Sequence, residues 1–168
     1  MLVHGIYPFF IFPDLFCSVR ISLLIFSLFL SSHIVIPTPI ESPQWVWPVN
    51  GRISDTFGTR HGKHYGIDIA ASIGTPVVAI NTGTVKKSYR SNSYGHVVFI
   101  QHGEYEAVYA HLDKRYVFQG DFVNSGEIIG LVGNTGKSRG AHLHLEIHKG
   151  VWTYRKQNAI NPLLFFDK

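Results

Sequence analysis

Ala141-His142-Leu143-His144-Leu145-Glu146-Ile147-His148 alternates polar and apolar residues without a break. Side chains on a strand point alternately to opposite faces. The stretch therefore predicts a strand with Leu143, Leu145 and Ile147 on a core and His142, His144, Glu146 and His148 on the other face. Two imidazoles two residues apart on a rigid element supply two metal ligands, or one ligand and one acid/base. His-x-His is also an ordinary polar surface pattern, and this chain has 10 histidines in 168 residues. The rest of the sequence has to decide between the two readings.

Outward from that stretch, the chain beyond Gly51 is a series of short apolar runs broken by Gly and Asn. Candidate strands are Arg52–Phe57, Gly66–Ala70, Pro76–Ile80, Gly83–Tyr89, His96–Gln101, Glu106–His111, Glu127–Val132, His142–His148 and Val151–Tyr154. Asn81-Thr82-Gly83, His102-Gly103, Asn124-Ser125-Gly126 and Asn134-Thr135-Gly136 are turn signals between them. Many short strands with glycine turns predict a mainly β domain, a sandwich or barrel. No helical period runs long enough to compete. Trp45-Val46-Trp47-Pro48, alternate aromatics ahead of a proline, predicts an edge strand entering the domain.

Residues 1–44 read differently. The apolar run Ile21–Leu30 follows Arg20 and precedes Ser31 and Ser32, the pattern of an export signal. Extended through Ile36, it reaches about the shortest length that spans a bilayer, so an uncleaved anchor is the alternative. Pro37, Pro39 and Pro43 then form a linker. One reading starts the natural chain at Val19. The expected organisation is a signal or anchor and linker over 1–44 and one folded domain over 45–168.

Composition is globular, with 45% hydrophobic and 15% charged residues. A net charge of +4 without a Lys/Arg cluster suits an anionic surface or polymer and does not indicate nucleic acid. The one cysteine, Cys17, precedes the apolar run, so the domain is expected to hold neither a disulfide nor a thiolate metal site.

His64 and Asp68, four residues apart, face the same way on a strand or a helix. With a histidine from the His-x-His pair they make a His2Asp set. Three protein ligands leave a fourth position open for water, the catalytic rather than the structural arrangement. A hydrogen-bonded surface pair is the plainer reading of His64 and Asp68 alone. His111, in Tyr109-Ala110-His111-Leu112, closes an alternating strand. A three-histidine site using His96 or His111 is the alternative, and it leaves Asp68 without a role.

Phe57-Gly58-Thr59-Arg60, His64-x-Gly66-x-Asp68, Gly74-Thr75-Pro76-Val77, Tyr94-Gly95-His96, Tyr109-Ala110-His111-Leu112, Gly130 to Gly136 and His142-Leu143-His144-Leu145-Glu146 occur in order. In that order and spacing, roughly from Gly51 to Pro162, the chain resembles the lysostaphin-type zinc endopeptidases, the M23 (LytM-like) family. The resemblance implies a small antiparallel β domain of the duplicated hybrid motif type with an open groove for peptidoglycan stem peptides and crosslinks. It implies that His64, Asp68 and His144 bind Zn2+ and that His111 and His142 are the non-ligand catalytic histidines. It also implies a bacterial envelope location, periplasmic or extracellular, with membrane contact only through the N-terminal segment.

The sequence departs from the family in three places. The loop between Arg60 and His64 is short, no Tyr lies just before the first ligand, and Leu145 replaces a usual Phe. His61, His96, His102 and His148 are expected to be structural or exposed, and Arg60 an ion-pair or loop anchor. The alternatives are a non-catalytic wall-binding or amidase-activating module, or a D-Ala-D-Ala-type zinc peptidase. Presence of all five site residues argues against the non-catalytic module.

Overall fold

A computed structural model describes residues 45–166; the expected signal or anchor and its linker lie outside the described residues. The strands are β1 (Arg52–Asp55), β2 (Ile67–Ala70), β3 (Pro76–Val78), β4 (Gly83–Ser91), β5 (Gly95–His102), β6 (Tyr105–Arg115), β7 (Phe122–Val123), β8 (Ile128–Val132), β9 (His142–Lys149) and β10 (Ala159–Ile160). One helical turn, α1 (Thr59–Gly62), and a 3-10 turn at Pro162–Leu164 complete the order. All strand pairs are antiparallel, along the path β1-β2-β9-β6-β5-β4-β7, with β10 on β9 and β8 bridging β3 and β6. The domain is mainly β, as expected, and its sheet stays open rather than closing into a barrel.

The stretch that opened the sequence is the interior strand β9, between β2 and β6. Its alternation holds in space. Leu143, Leu145 and Ile147 are fully buried in the main core with Ile67, Ile69 and Tyr109. Each such side chain contributes roughly 1.5–3 kcal/mol of burial, and a one-residue slip of register would move all three to the wrong face. The opposite face carries a smaller apolar cluster of Val97, Phe99, Val108 and Ala110, flanked by Tyr94 and Trp152. Val108 lies opposite Glu146 and Ala110 opposite His144, so this second face is the one that bears the histidines.

Four expectations need correction. Val151–Tyr154 is a loop: the backbone N–H of Trp152 donates to the Glu106 carboxylate and its ring packs edge-on against Phe99 at 5.6 Å, so no ladder forms. Trp45–Pro48 runs extended beside β3 through Val46 N to Ile80 O (2.9 Å) and Val78 N to Pro48 O (2.8 Å) without becoming a strand. Pro48 has no N–H with which to continue a ladder. β1 stops at Asp55 because that carboxylate accepts from Thr56 N (2.9 Å) and Thr59 Oγ (2.7 Å), turning the chain into α1. β6 runs past His111 to Arg115 through a bulge opposite β5.

Candidate active site

His144 sits at the middle of β9, paired with Asp68 of β2 on one side and Ala110 of β6 on the other. Gly66 makes this crossing fit. A Cβ there would lie 2.3 Å from Leu145 O and 3.0 Å from His144 Cε1, so any side chain would push β2 off the imidazole. His64 arrives from the loop after α1 rather than from a strand.

The three side chains converge. His64 Nε2 lies 3.1 Å from Asp68 Oδ1 and 3.3 Å from His144 Nδ1, and Asp68 Oδ1 lies 2.7 Å from His144 Nδ1. All three residues are buried. Hydrogen bonds to the far nitrogens set the tautomers. His64 Nδ1–H donates to Thr56 O (2.8 Å), and His144 Nε2–H donates to Glu146 Oε1 (3.1 Å). With both imidazoles neutral, His64 Nε2, His144 Nδ1 and Asp68 Oδ1 are then all acceptors, facing one another with no hydrogen between them. Such an arrangement calls for a cation. Ligand bonds of 2.0–2.2 Å imply tetrahedral edges of about 3.3–3.6 Å; the 3.1 and 3.3 Å separations lie near that range and the 2.7 Å one has to open around an ion, so the donor set fits zinc.

Without a metal, a proton on His144 Nδ1 takes the cation's place. Burial opposes ionisation of Asp68, but hydrogen bonds from His144 and His64 hold its pKa far below the usual carboxylate range. Burial likewise opposes the charging of His144, yet Asp68 and Glu146 outweigh it and raise the imidazole. Arg60 donates to Asp68 Oδ2 and, at 2.8 Å, to Asp55 Oδ2. That leaves Oδ1 as the oxygen of Asp68 turned to the imidazoles. The expected loop-anchor role of Arg60 thus includes a grip on Asp68.

His111 and His142 stand beside this trio with ring centroids 4.8 Å apart; His111 is 5.9 Å from the His144 ring. Both rings are held through Nδ1. His111 Nδ1–H donates to Thr135 O and His142 Nδ1–H to Gly140 O, each at 2.8 Å. The Nε2 atom of each is left as an acceptor, and that of His142 lies 3.6 Å from Asp68 Oδ1. Strand alternation after Ala110 would turn His111 to the core side. The bulge against β5 and a left-handed backbone (φ 62°) turn it into the groove instead. Burial pushes the pKa of His111 down to about 4, so this imidazole is neutral at neutral pH.

Of the remaining histidines, His61 is exposed. His96 accepts from Arg115 Nε at 3.1 Å, away from the groove, and takes no part in a three-histidine site. His102 is buried against Tyr109 OH at 3.1 Å, and His148 donates to Glu146 Oε2 at 2.7 Å. The sequence reading left Tyr94 and Lys156 without a role. Both reach Glu146, Tyr94 by its hydroxyl at 2.6 Å. Glu146 itself was placed on the right face by alternation, but not its contacts. Tyr94 also stacks near the His144 ring at a centroid distance of 6.2 Å. Its presence in Tyr94-Gly95-His96 was the available signal.

An open antiparallel sheet whose groove holds a His2Asp donor set and two further imidazoles defines a β domain built around a candidate metal centre. The chain belongs to peptidase family M23, which matches residues 62–162. The DD-carboxypeptidase/endopeptidase Mpg of Neisseria meningitidis is 45% identical over 103 residues, 56% of this chain and 24% of that protein. The murein hydrolase activator NlpD of Escherichia coli is 36% identical over 135 residues, 78% of this chain and 33% of that protein. Lysostaphin, an antimicrobial peptidase from Staphylococcus simulans, has the same fold with a TM-score of 0.69 at 30% identity, over 75% of this chain and 54% of that one. The chain spans about a quarter to a third of the length of these curated relatives.

Proposed function

We propose that residues 45–168 form a zinc metalloendopeptidase that hydrolyses peptide crosslinks of bacterial peptidoglycan, and that residues 1–44 serve export or anchoring in the cell envelope. The observation that carries this reading is the convergence of His64 Nε2, Asp68 Oδ1 and His144 Nδ1, all as acceptors, beside two imidazoles whose free Nε2 atoms face the same groove. His64, Asp68 and His144 would hold the metal. Zinc bound there supplies Lewis acidity toward the scissile carbonyl and lowers the pKa of water.

The remaining work falls to the chain itself. His111 and His142 carry the proton transfers: the Nε2 of one takes a proton from the attacking water, and the other, once protonated at Nε2 as well as Nδ1, donates toward the oxyanion or the leaving amine. Their Nδ1–H bonds to backbone carbonyls fix the rings, so the reactive nitrogens need no reorientation. The groove, with a cavity volume of about 1310 Å3, exceeds the roughly 300–1,000 Å3 of a small-ligand pocket, which suits an extended stem peptide over a free dipeptide.

Similarity to a murein hydrolase activator supports a second reading, a non-catalytic module that acts through another hydrolase. Two measurements on the full chain separate them: zinc content, and mass spectrometry of fragments released from defined peptidoglycans. About one zinc per chain and new peptide termini are expected. A metal-free chain that releases nothing alone but stimulates an amidase would support the second reading.

A further inference from the structure

The second face of β9 continues past His144 into a buried polar cluster. Glu146 is 2% exposed and lies on the same side of the strand. Its Oε1 accepts from His144 Nε2–H (3.1 Å) and Tyr94 OH (2.6 Å), and its Oε2 accepts from His148 Nε2–H (2.7 Å). The Lys156 ammonium donates to both oxygens and contacts the Tyr94 hydroxyl. A carboxylate has about four lone-pair sites, so these donors saturate it and leave it one orientation.

Lys156 is an unusual donor. It sits in the loop between β9 and β10 with a left-handed backbone (φ 56°), a conformation that a non-glycine residue keeps only when its surroundings enforce it. Its side chain is 11% exposed, with the ammonium 4.9 Å from the ring centroids of both Tyr94 and Trp152. The loop thus delivers a buried cation to the acid that contacts His144.

A neutral imidazole can carry its proton on either nitrogen, and the partner of one nitrogen decides which is free. We propose that Glu146 is a positioning residue: it holds His144 in the Nε2–H tautomer with Nδ1 aimed at Asp68 and His64, and Lys156 keeps the Glu146 carboxylate in place. Both act through His144. The proposal rests on His144 being a zinc ligand, as in the proposed function.

Long-range 1H–15N NMR of the metal-free full chain, at a pH high enough that the His144 ring is neutral, reads the tautomer directly, and chelator competition reads zinc affinity. Wild type is expected to show His144 as Nε2–H. A wild-type Nδ1–H tautomer overturns the proposal without any variant. Glu146→Leu combined with Lys156→Met removes the acceptor without leaving a buried charge unpaired, so it is the variant most compatible with folding. It is expected to mix the tautomers and to weaken zinc binding 10–100-fold, the usual loss for such outer contacts. Glu146→Gln keeps a carbonyl oxygen for His144 and should restore the Nε2–H form and part of the affinity. A Leu/Met double variant with the wild-type tautomer and zinc affinity within twofold overturns the proposal, even if its melting temperature falls. A wild type that binds no zinc sinks the metal reading but leaves the tautomer result intact.

Discussion

His144 and His142 lie two residues apart on one face of one strand, yet their nitrogens do different things. His144 turns Nδ1 into the acceptor trio, while His142 binds Gly140 O through Nδ1 and leaves Nε2 to the groove. Their variants should therefore separate. His64→Ala, Asp68→Ala and His144→Ala are expected to lose most bound zinc, because each removes one of three ligands. His111→Ala and His142→Ala should keep zinc and a near-normal melt while losing roughly 10²–10⁴-fold in rate. Metal analysis paired with wall-substrate assays checks this, and equal zinc loss in His111→Ala would reassign the ligands. The pH profile adds a sign. Burial holds His111 down to about 4, so activity should rise with pH on an acid limb well below the ordinary histidine value near 6.5. That limb should move or vanish in His111→Ala, and a limb unchanged there would take the base role from His111.

At the scale of elements, the β2–β9 crossing carries the site. Its tolerance is set by Gly66, where a methyl would meet a carbonyl oxygen at 2.3 Å and the His144 ring at 3.0 Å. Gly66→Ala should therefore destabilise the fold by on the order of 1–3 kcal/mol, the usual range for overpacking, and weaken zinc binding as well. Denaturant unfolding and chelator titration measure the two effects. Unchanged values of both would mean that β2 can yield without moving His144. The β6 bulge is the matching device on the other side, since it brings His111 to the face that alternation would deny it.

At the scale of the whole molecule, two charge effects are testable. His102 is buried far from the groove, with Nδ1–H donating to Thr82 O (3.1 Å) and Nε2 accepting from Tyr109 OH, which in turn accepts from Ile80 N–H (2.9 Å). Burial pushes its pKa down to about 4. Between that value and about 6.5 the unfolded chain binds more protons than the folded one, so stability rises with pH and is lost on acidification through this window. The full effect is on the order of 3 kcal/mol. His102→Gln should flatten that part of the stability curve; an unchanged acid slope would refute the assignment. The second effect concerns the groove rim. Lys63, Lys137 and Arg139 are exposed there, in no ion pair among the described residues, whereas Arg60 and Lys156 are paired with acids. A carboxylate-bearing wall peptide should therefore bind less well as salt rises. Lys137→Glu with Arg139→Glu should raise KM several-fold with little change in kcat. Salt-independent KM in both proteins would remove the rim from recognition.

The alternation of Ala141–His148 by itself determined that one strand carries a buried apolar face and a histidine face, because side-chain direction on a strand is local geometry. The short runs and glycine turns likewise determined a mainly β domain, and motif order pointed to the M23 family, whose resemblance implied antiparallel pairing. Other features belonged to the tertiary structure. Which nitrogen of each imidazole is free depends on Thr56, Glu146, Thr135 and Gly140, partners up to 24 residues away in the chain. The direction of His111 depends on a bulge that exists only where β5 pairs with β6. Val151–Tyr154 looked like a strand because its pattern is locally apolar; in the fold, the backbone N–H of Trp152 is taken by Glu106 and its ring by Phe99. Lys156 carried no signal at all, since a single lysine in a loop becomes a buried partner of Glu146 only once the loop has folded over β9.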